Sequence, residues 1–203
     1  PWEMHPPHVQ HTMESGRVDL DRIREFMQSP KSFLDFLDDN GIERVGLINY
    51  VAPDVMGFTA EVNDWCARYA SAAPDRLIAF GSVNPRFTKD PAGETQRVLD
   101  LGIRALKIHP PHQLFAVNDY RTGGPGAGIG DVFRVAEERT VPVMIHPGTS
   151  VFPGARNAYA DPMPADDVGV DFPKLRVILA HAGRPLYGDA ALFLVRRHPN
   201  FFL

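Results

Sequence analysis

The chain has 203 residues, 44% hydrophobic and 23% charged, with 21 Lys and Arg against 25 Asp and Glu for a net charge of −4. That balance excludes a nucleic-acid footprint, which needs clustered Lys and Arg, and no apolar run reaches the roughly 20 residues of a membrane span. The single cysteine, Cys66, excludes an internal disulfide and fits a reducing, cytoplasmic compartment.

Residues 1–30 hold His5, His8 and His11 around Pro6-Pro7. The proline pair argues for a long loop here rather than a helical ligand face. A short helix follows over 19–28. The three histidines read either as solvated loop residues or as part of a lid over a site. Residues 31–40 place Phe33, Leu34, Phe36 and Leu37 at helical spacing with acids opposite, and Gly41 is suited to cap that helix. Arg44–Tyr50 is the first strand. An amphipathic helix over 61–72 and a strand from Arg76 to Pro85 come next. Helix 90–101 then leads into the strand from Ile103 to Pro110. Gly123-Gly124-Pro125-Gly126 is a loop without the Gly-Lys-Ser/Thr of a phosphate cradle. Helix 129–139 feeds a strand ending at His146. A long loop, 149–165, carries Phe152 and Arg156, which together with Phe115 are candidates to shape a pocket. A short helix at 165–171 precedes the strand from Leu175 to His181. Helix 187–198 and a final strand, Asn200–Leu203, complete the pass.

Alternating apolar strands and helices specify a parallel sheet covered by helices. An open doubly wound sheet would gather its ligand at one switch point, usually with a glycine-rich first turn, and none is present. Instead polar residues stand at successive strand ends: Asn49, Asn84, Lys107 and His109, His146 and His181. Such residues meet when the strands close into a ring with the chemistry at its C-terminal mouth. The expected fold is therefore a (β/α)₈ TIM barrel, incomplete as given, with about six βα units in a single domain over 1–203. A whole barrel takes about 250 residues. A start in a loop and a stop inside a strand read as a piece of a longer protein.

Three strands end alike. Val141-Pro-Val-Met-Ile-His146-Pro-Gly148, Leu175-Arg-Val-Ile-Leu-Ala-His181-Ala-Gly183 and Ile103-Arg-Ala-Leu-Lys107-Ile-His109-Pro110 each run apolar sequence into an imidazole and then a Pro or Gly stop. Three side chains converging on one site is the reading of that pattern. Lys107 and His109 share strand parity and so face one side.

These segments resemble the amidohydrolase superfamily, and within it the amidohydrolase-related branch that includes aminocarboxymuconate-semialdehyde decarboxylase. The resemblance implies a divalent metal at the barrel mouth: Zn²⁺ first, with Mn²⁺ or Fe²⁺ as alternatives. It matches His146 to the strand-5 ligand. His181 corresponds to the strand-6 histidine, assigned as general base with metal ligation as its second role. The family's strand-1 His pair and strand-8 Asp would lie outside the chain as given, and His5, His8 and His11 do not fit the His-x-His pattern. For Lys107 the resemblance offers a carboxylated, metal-bridging role, beside a cation for a substrate carboxylate or a rim lysine paired with an acid. Substrate binding is assigned to Lys107, His109 and Arg184, the last through its fork of donors or else serving a structural ion pair.

The implied function is a metal-dependent hydrolase acting on a small carboxylated molecule. Non-oxidative decarboxylation of an aromatic or muconate-type acid is the alternative, and a non-catalytic fragment or binding module is a third reading. Self-association is left open.

Overall fold

A computed structural model describes residues 2–16 and 19–203 of the chain. After a 3₁₀ turn at Trp2–Met4, three helices come in succession: α1 (Pro7–Glu14), α2 (Leu20–Gln28) and α3 (Pro30–Asp39). The first strand, β1 (Val45–Leu47), is followed by α4 (Pro53–Met56), α5 (Glu61–Ala70), β2 (Leu77–Gly81), α6 (Pro91–Asp100) and β3 (Ala105–Ile108). Two single-turn helices, α7 (Pro110–Gln113) and α8 (Asp119–Thr122), precede α9 (Ile129–Glu138) and β4 (Val143–Ile145). Then come α10 (Ala165–Asp171), β5 (Val177–Leu179), α11 (Gly188–Arg197) and β6 (Phe201–Phe202).

All six strands lie in one parallel sheet in the order β1-β2-β3-β4-β5-β6. The registers run Val45↔Leu77, Phe80↔Ala105, Leu106↔Val143, Val143↔Val177 and Val177↔Phe201. Leu106, Val143 and Val177, in register on one face of the sheet, are buried, whereas Met144 and Ile178 on the opposite face are only half-buried. Helices α5, α6, α9, α10 and α11 turn their apolar sides to the same core as the strands. The sheet is not closed: β1 and β6 form its two edges. This is a partial TIM barrel of six βα steps.

Local signals explain the helix starts. Asp19 accepts from the Arg22 N–H, Ser29 from the Ser32 N–H and Asp90 from the Gly93 N–H, each satisfying a donor at a helix N-terminus. Pro30 and Pro91 occupy first-turn positions where no intrahelical N–H is needed.

The same rule corrects the reading of the N-terminal stretch. Pro7 begins a helix rather than forbidding one, so His8 and His11 ride on α1 and face solvent. His5 is buried, with Nδ1 3.0 Å from the Met56 carbonyl oxygen and its ring 4.3 Å from that of Phe58. Val9 seats α1 on Ala52, Val55 and Met56, a small second core against which Tyr50, Leu114 and Phe152 also pack. Part of the 1–30 expectation falls on residues 1, 17 and 18, which lie outside the described residues.

Candidate active site

Three adjacent strands deliver the site. β3 ends at Ile108, and His109 follows as the residue preceding α7, whose first two positions are Pro110 and Pro111. β4 ends at Ile145, and the His146 N–H continues the ladder by donating to the Ile108 carbonyl at 2.9 Å. β5 ends at Leu179 and enters a tight turn in which His181 (φ 43°) and Ala182 (φ 51°) are both left-handed. Such conformations cost non-glycine residues on the order of 1–3 kcal/mol each, and they persist where surrounding structure imposes them. Gly148 (φ 115°) passes against this turn so closely that a Cβ would overlap the Arg184 carbonyl oxygen. Only glycine allows the two loops to meet.

The imidazoles form a row. The ring of His109 lies 3.7 Å from that of His146 and 3.8 Å from that of His112, stacked on each at 15°. At the end of the row His181 meets His146 edge to face, with His181 Nε2 and His146 Nδ1 2.9 Å apart. His109 Nδ1 and His146 Nε2 are buried and have no hydrogen-bond partner. Unpaired buried nitrogens of this kind carry a desolvation cost and call for an explanation.

Charge at the mouth is one-sided. Lys107, only 4% exposed, makes no hydrogen bond or ion pair with the described residues, and burial brings its pKa down to about 7. Burial and then the Lys107 charge hold His112 at about 4 and His146 at about 2. His109 is driven far below the ordinary imidazole range by burial, then by His112, His146 and Lys107. His181 is lowered by burial, then by Lys107 and Arg184. All four rings are therefore neutral at pH 7, and the unpartnered nitrogens of His109 and His146 are available to a cation or a proton. The rim ion pair considered for Lys107 does not form among the described residues. Arg184 is exposed, forms no ion pair with the described residues, and stands near enough to His146 and His181 for its charge to act on both.

One measurable consequence concerns stability. Lys107 binds its proton more weakly folded (about 7) than at its unperturbed value of 10.5. Between those values the unfolded chain holds more protons, so stability rises with pH, by at most about 1.36 kcal/mol per unit. Urea unfolding between pH 7 and 10 should show this rise in the unmodified chain, and Lys107→Met should remove it. An unchanged slope in the variant would mean that Lys107 is solvated.

The donor chemistry fits a divalent metal. A buried, neutral, unpartnered His146 Nε2 is a ready ligand atom, and a second imidazole lies against the same ring. Among the described residues no group of three or more His, Cys, Asp or Glu side chains gathers around one metal position. Two imidazoles are fewer than the three or four protein ligands of an ordinary site.

Sequence reasoning missed His112. Its Nδ1 lies 2.9 Å from Tyr50 Oη and its Nε2 2.6 Å from Ser150 Oγ, joining the ends of three separated segments. Pro110-Pro111-His112 reads as a strand stop, and the turn of α7 that turns the ring inward leaves no periodic signal. Phe115, expected at the rim, is wholly buried in the main core.

A family model for amidohydrolases matches residues 18–203. No curated protein matches the sequence. Among solved structures, an uncharacterized TIM-barrel protein from Bordetella bronchiseptica is 26% identical with a TM-score of 0.69, covering 86% of this chain and 58% of its own. A 5-carboxyvanillate decarboxylase from Novosphingobium aromaticivorans, with bound manganese, has 20% identity and a TM-score of 0.56 over 81% of this chain and 51% of its own. A 4-oxalomesaconate hydratase from Rhodopseudomonas palustris has 18% identity and a TM-score of 0.55 over 96% of this chain and 67% of its own. The chain therefore spans roughly half to two thirds of the length of these proteins. Among the described residues no helix is long and apolar enough to cross a membrane. From the histidine-ended strands, the six-step parallel sheet and the matched family model together, the chain belongs to the amidohydrolase family.

Proposed function

We propose that this chain carries the mouth of a metal-dependent hydrolase that turns an activated water on a small carboxylated ester, lactone or amide. The observation behind the reading is the buried, unpartnered His146 Nε2 with His181 against the same ring. His146 would hold the cation through Nε2, which leaves its Nδ1–H donating to His181 Nε2; His181 takes the proton of the attacking water at that nitrogen in exchange for this hydrogen bond, with ligation as its second role. A divalent cation held there would supply Lewis acidity and make water a stronger acid at neutral pH. Lys107, His109 and Arg184 receive the substrate's carboxylate: Lys107 as a buried cation, Arg184 through a bidentate fork at the rim. Zn²⁺ suits two imidazoles, and Mn²⁺ is the ion that one structural neighbour contains.

A second reading, loss of CO₂ from an aromatic acid at the same site, draws on the decarboxylase among the structural neighbours. The deciding experiment measures metal content and turnover together. Protein loaded with Zn²⁺ or Mn²⁺ is offered a panel of lactones, esters, amides and aromatic acids. Acid release supports hydrolysis, and CO₂ release from an aromatic acid moves the assignment to the second reading. A folded sample that keeps no cation and turns over nothing would make the chain a binding module.

A further inference from the structure

His112, at one end of the imidazole row, belongs to a hydrogen-bonded chain that the metal reading does not use. Ser150 Oγ lies 2.6 Å from His112 Nε2, and His112 Nδ1 lies 2.9 Å from Tyr50 Oη. This is a nucleophile within reach of a base, and a base held by a third group, the arrangement that activates serine for acyl transfer. We propose that Ser150 is a second nucleophile, with His112 as its general base and Tyr50 as the residue that positions the base, taking the acyl group of a small activated carboxylic ester.

The surroundings assign each proton. Phe152 N–H donates to Ser150 Oγ at 3.2 Å, occupying one lone pair of the hydroxyl. The hydroxyl proton is then directed to His112 Nε2, and the second lone pair is left for attack. With Nε2 accepting, Nδ1 carries the ring proton and donates it to Tyr50 Oη. His112 is 2% exposed, whereas Ser150 is partly exposed, so the substrate and the deacylating water both approach from the serine's side.

The serine is also held from both sides of its backbone. Its N–H donates to Asn157 Oδ1 at 2.8 Å, and Asn157 Nδ2 donates back to its carbonyl at 3.1 Å. The ring of Phe152 meets that of His112 edge to face at 5.5 Å and closes one side of the unit. Arg156 N–H donates to the Pro111 carbonyl at 2.8 Å, tying the serine's loop to the turn that bears the base.

In the step itself Ser150 Oγ bonds to the ester carbonyl carbon as its proton passes to His112 Nε2. The ester C–O bond then breaks, and the departing alcohol or phenol recovers that proton. Water hydrolyses the acyl-serine through the same base, releasing the acid and restoring the hydroxyl. No metal, oxidant or reductant enters the balance.

The probe is p-nitrophenyl acetate, with the chain treated by a metal chelator throughout. The expected result is a burst of p-nitrophenol and an acetyl group located on Ser150 by peptide mass spectrometry. Ser150→Ala, at a partly exposed position, should abolish both. His112→Gln should slow acylation on the order of 10²–10⁴-fold. Tyr50→Phe should lower the acylation rate by roughly tenfold or more while the half-saturating ester concentration stays unchanged, which a merely structural role would not produce. Acetyl found only on lysines or other side chains overturns the proposal, as does a folded His112→Gln protein that labels at the original rate. Should His112→Gln fail to fold, Ser150→Ala decides alone. Because the chelator is present, failure of the metal reading and failure of this one give different results.

Discussion

His146→Ala should empty the proposed metal site: the cation content of Zn²⁺- or Mn²⁺-loaded protein falls to the level of a control without the site, and turnover falls with it. The reason is the position of one atom. His146 Nε2, like His109 Nδ1, is a buried nitrogen at the mouth with no partner among the described residues, and its own Nδ1 is engaged at 2.9 Å with His181 Nε2. Removing the ring deletes the ligand atom and leaves His181 without its neighbour. His181→Ala behaves differently. It should lose about 10²–10⁴-fold in turnover, the usual contribution of a general base, while the cation content is largely kept. Elemental analysis and rate measurements on both variants separate the roles. Loss of metal from both would make His181 a ligand, and metal retained in His146→Ala would remove the basis of the assignment.

The largest loss of stability is expected at Phe133. Its side chain on α9 is wholly buried and meets Tyr120 at 6.4 Å and Phe172 at 5.6 Å, both edge to face, while those two meet each other at 5.5 Å. The triangle joins α8, α9 and the end of α10. Phe133→Ala opens a cavity and breaks two aromatic contacts, a change that costs about 3–5 kcal/mol. That is a large share of the ~5–15 kcal/mol that holds a domain together. Phe133→Leu keeps most of the volume and should lose much less. Urea unfolding of the two variants is the check, and a loss below about 1 kcal/mol for Phe133→Ala would show that α9 does not rest on this ring.

Much of this architecture was legible in the sequence because strand and helix periods alternate without interruption. The strands expected at Arg44–Tyr50, Arg76–Pro85, Ile103–Pro110, Val141–His146, Leu175–His181 and Asn200–Leu203 all contain an observed strand, each shorter than the apolar run that announced it. The apolar run includes rim residues that leave the ladder to enter turns. The helices at 19–28, 31–40, 61–72, 90–101, 129–139, 165–171 and 187–198 lie within a residue or two of the observed ones. What escaped were single turns, α4, α7 and α8, too short for periodicity, and α1, where Pro7 was read as a breaker instead of a first residue. In the site, strand-end histidines announced themselves by apolar run and glycine or proline stop. Tyr50, His112 and Ser150 carry no such mark, since their meeting depends on three loops folding over one rim. Strand parity places Lys107 at the mouth, but that it pairs with no carboxylate among the described residues is a tertiary fact.

Strand order and chain order coincide from β1 to β6, so no later segment is threaded between two earlier ones. Shortening such a molecule from either terminus would shed an outer strand before disturbing β3, β4 and β5. The imidazole row stands at the ends of β3, β4 and β5, with β1 and β2 on one flank and β6 on the other.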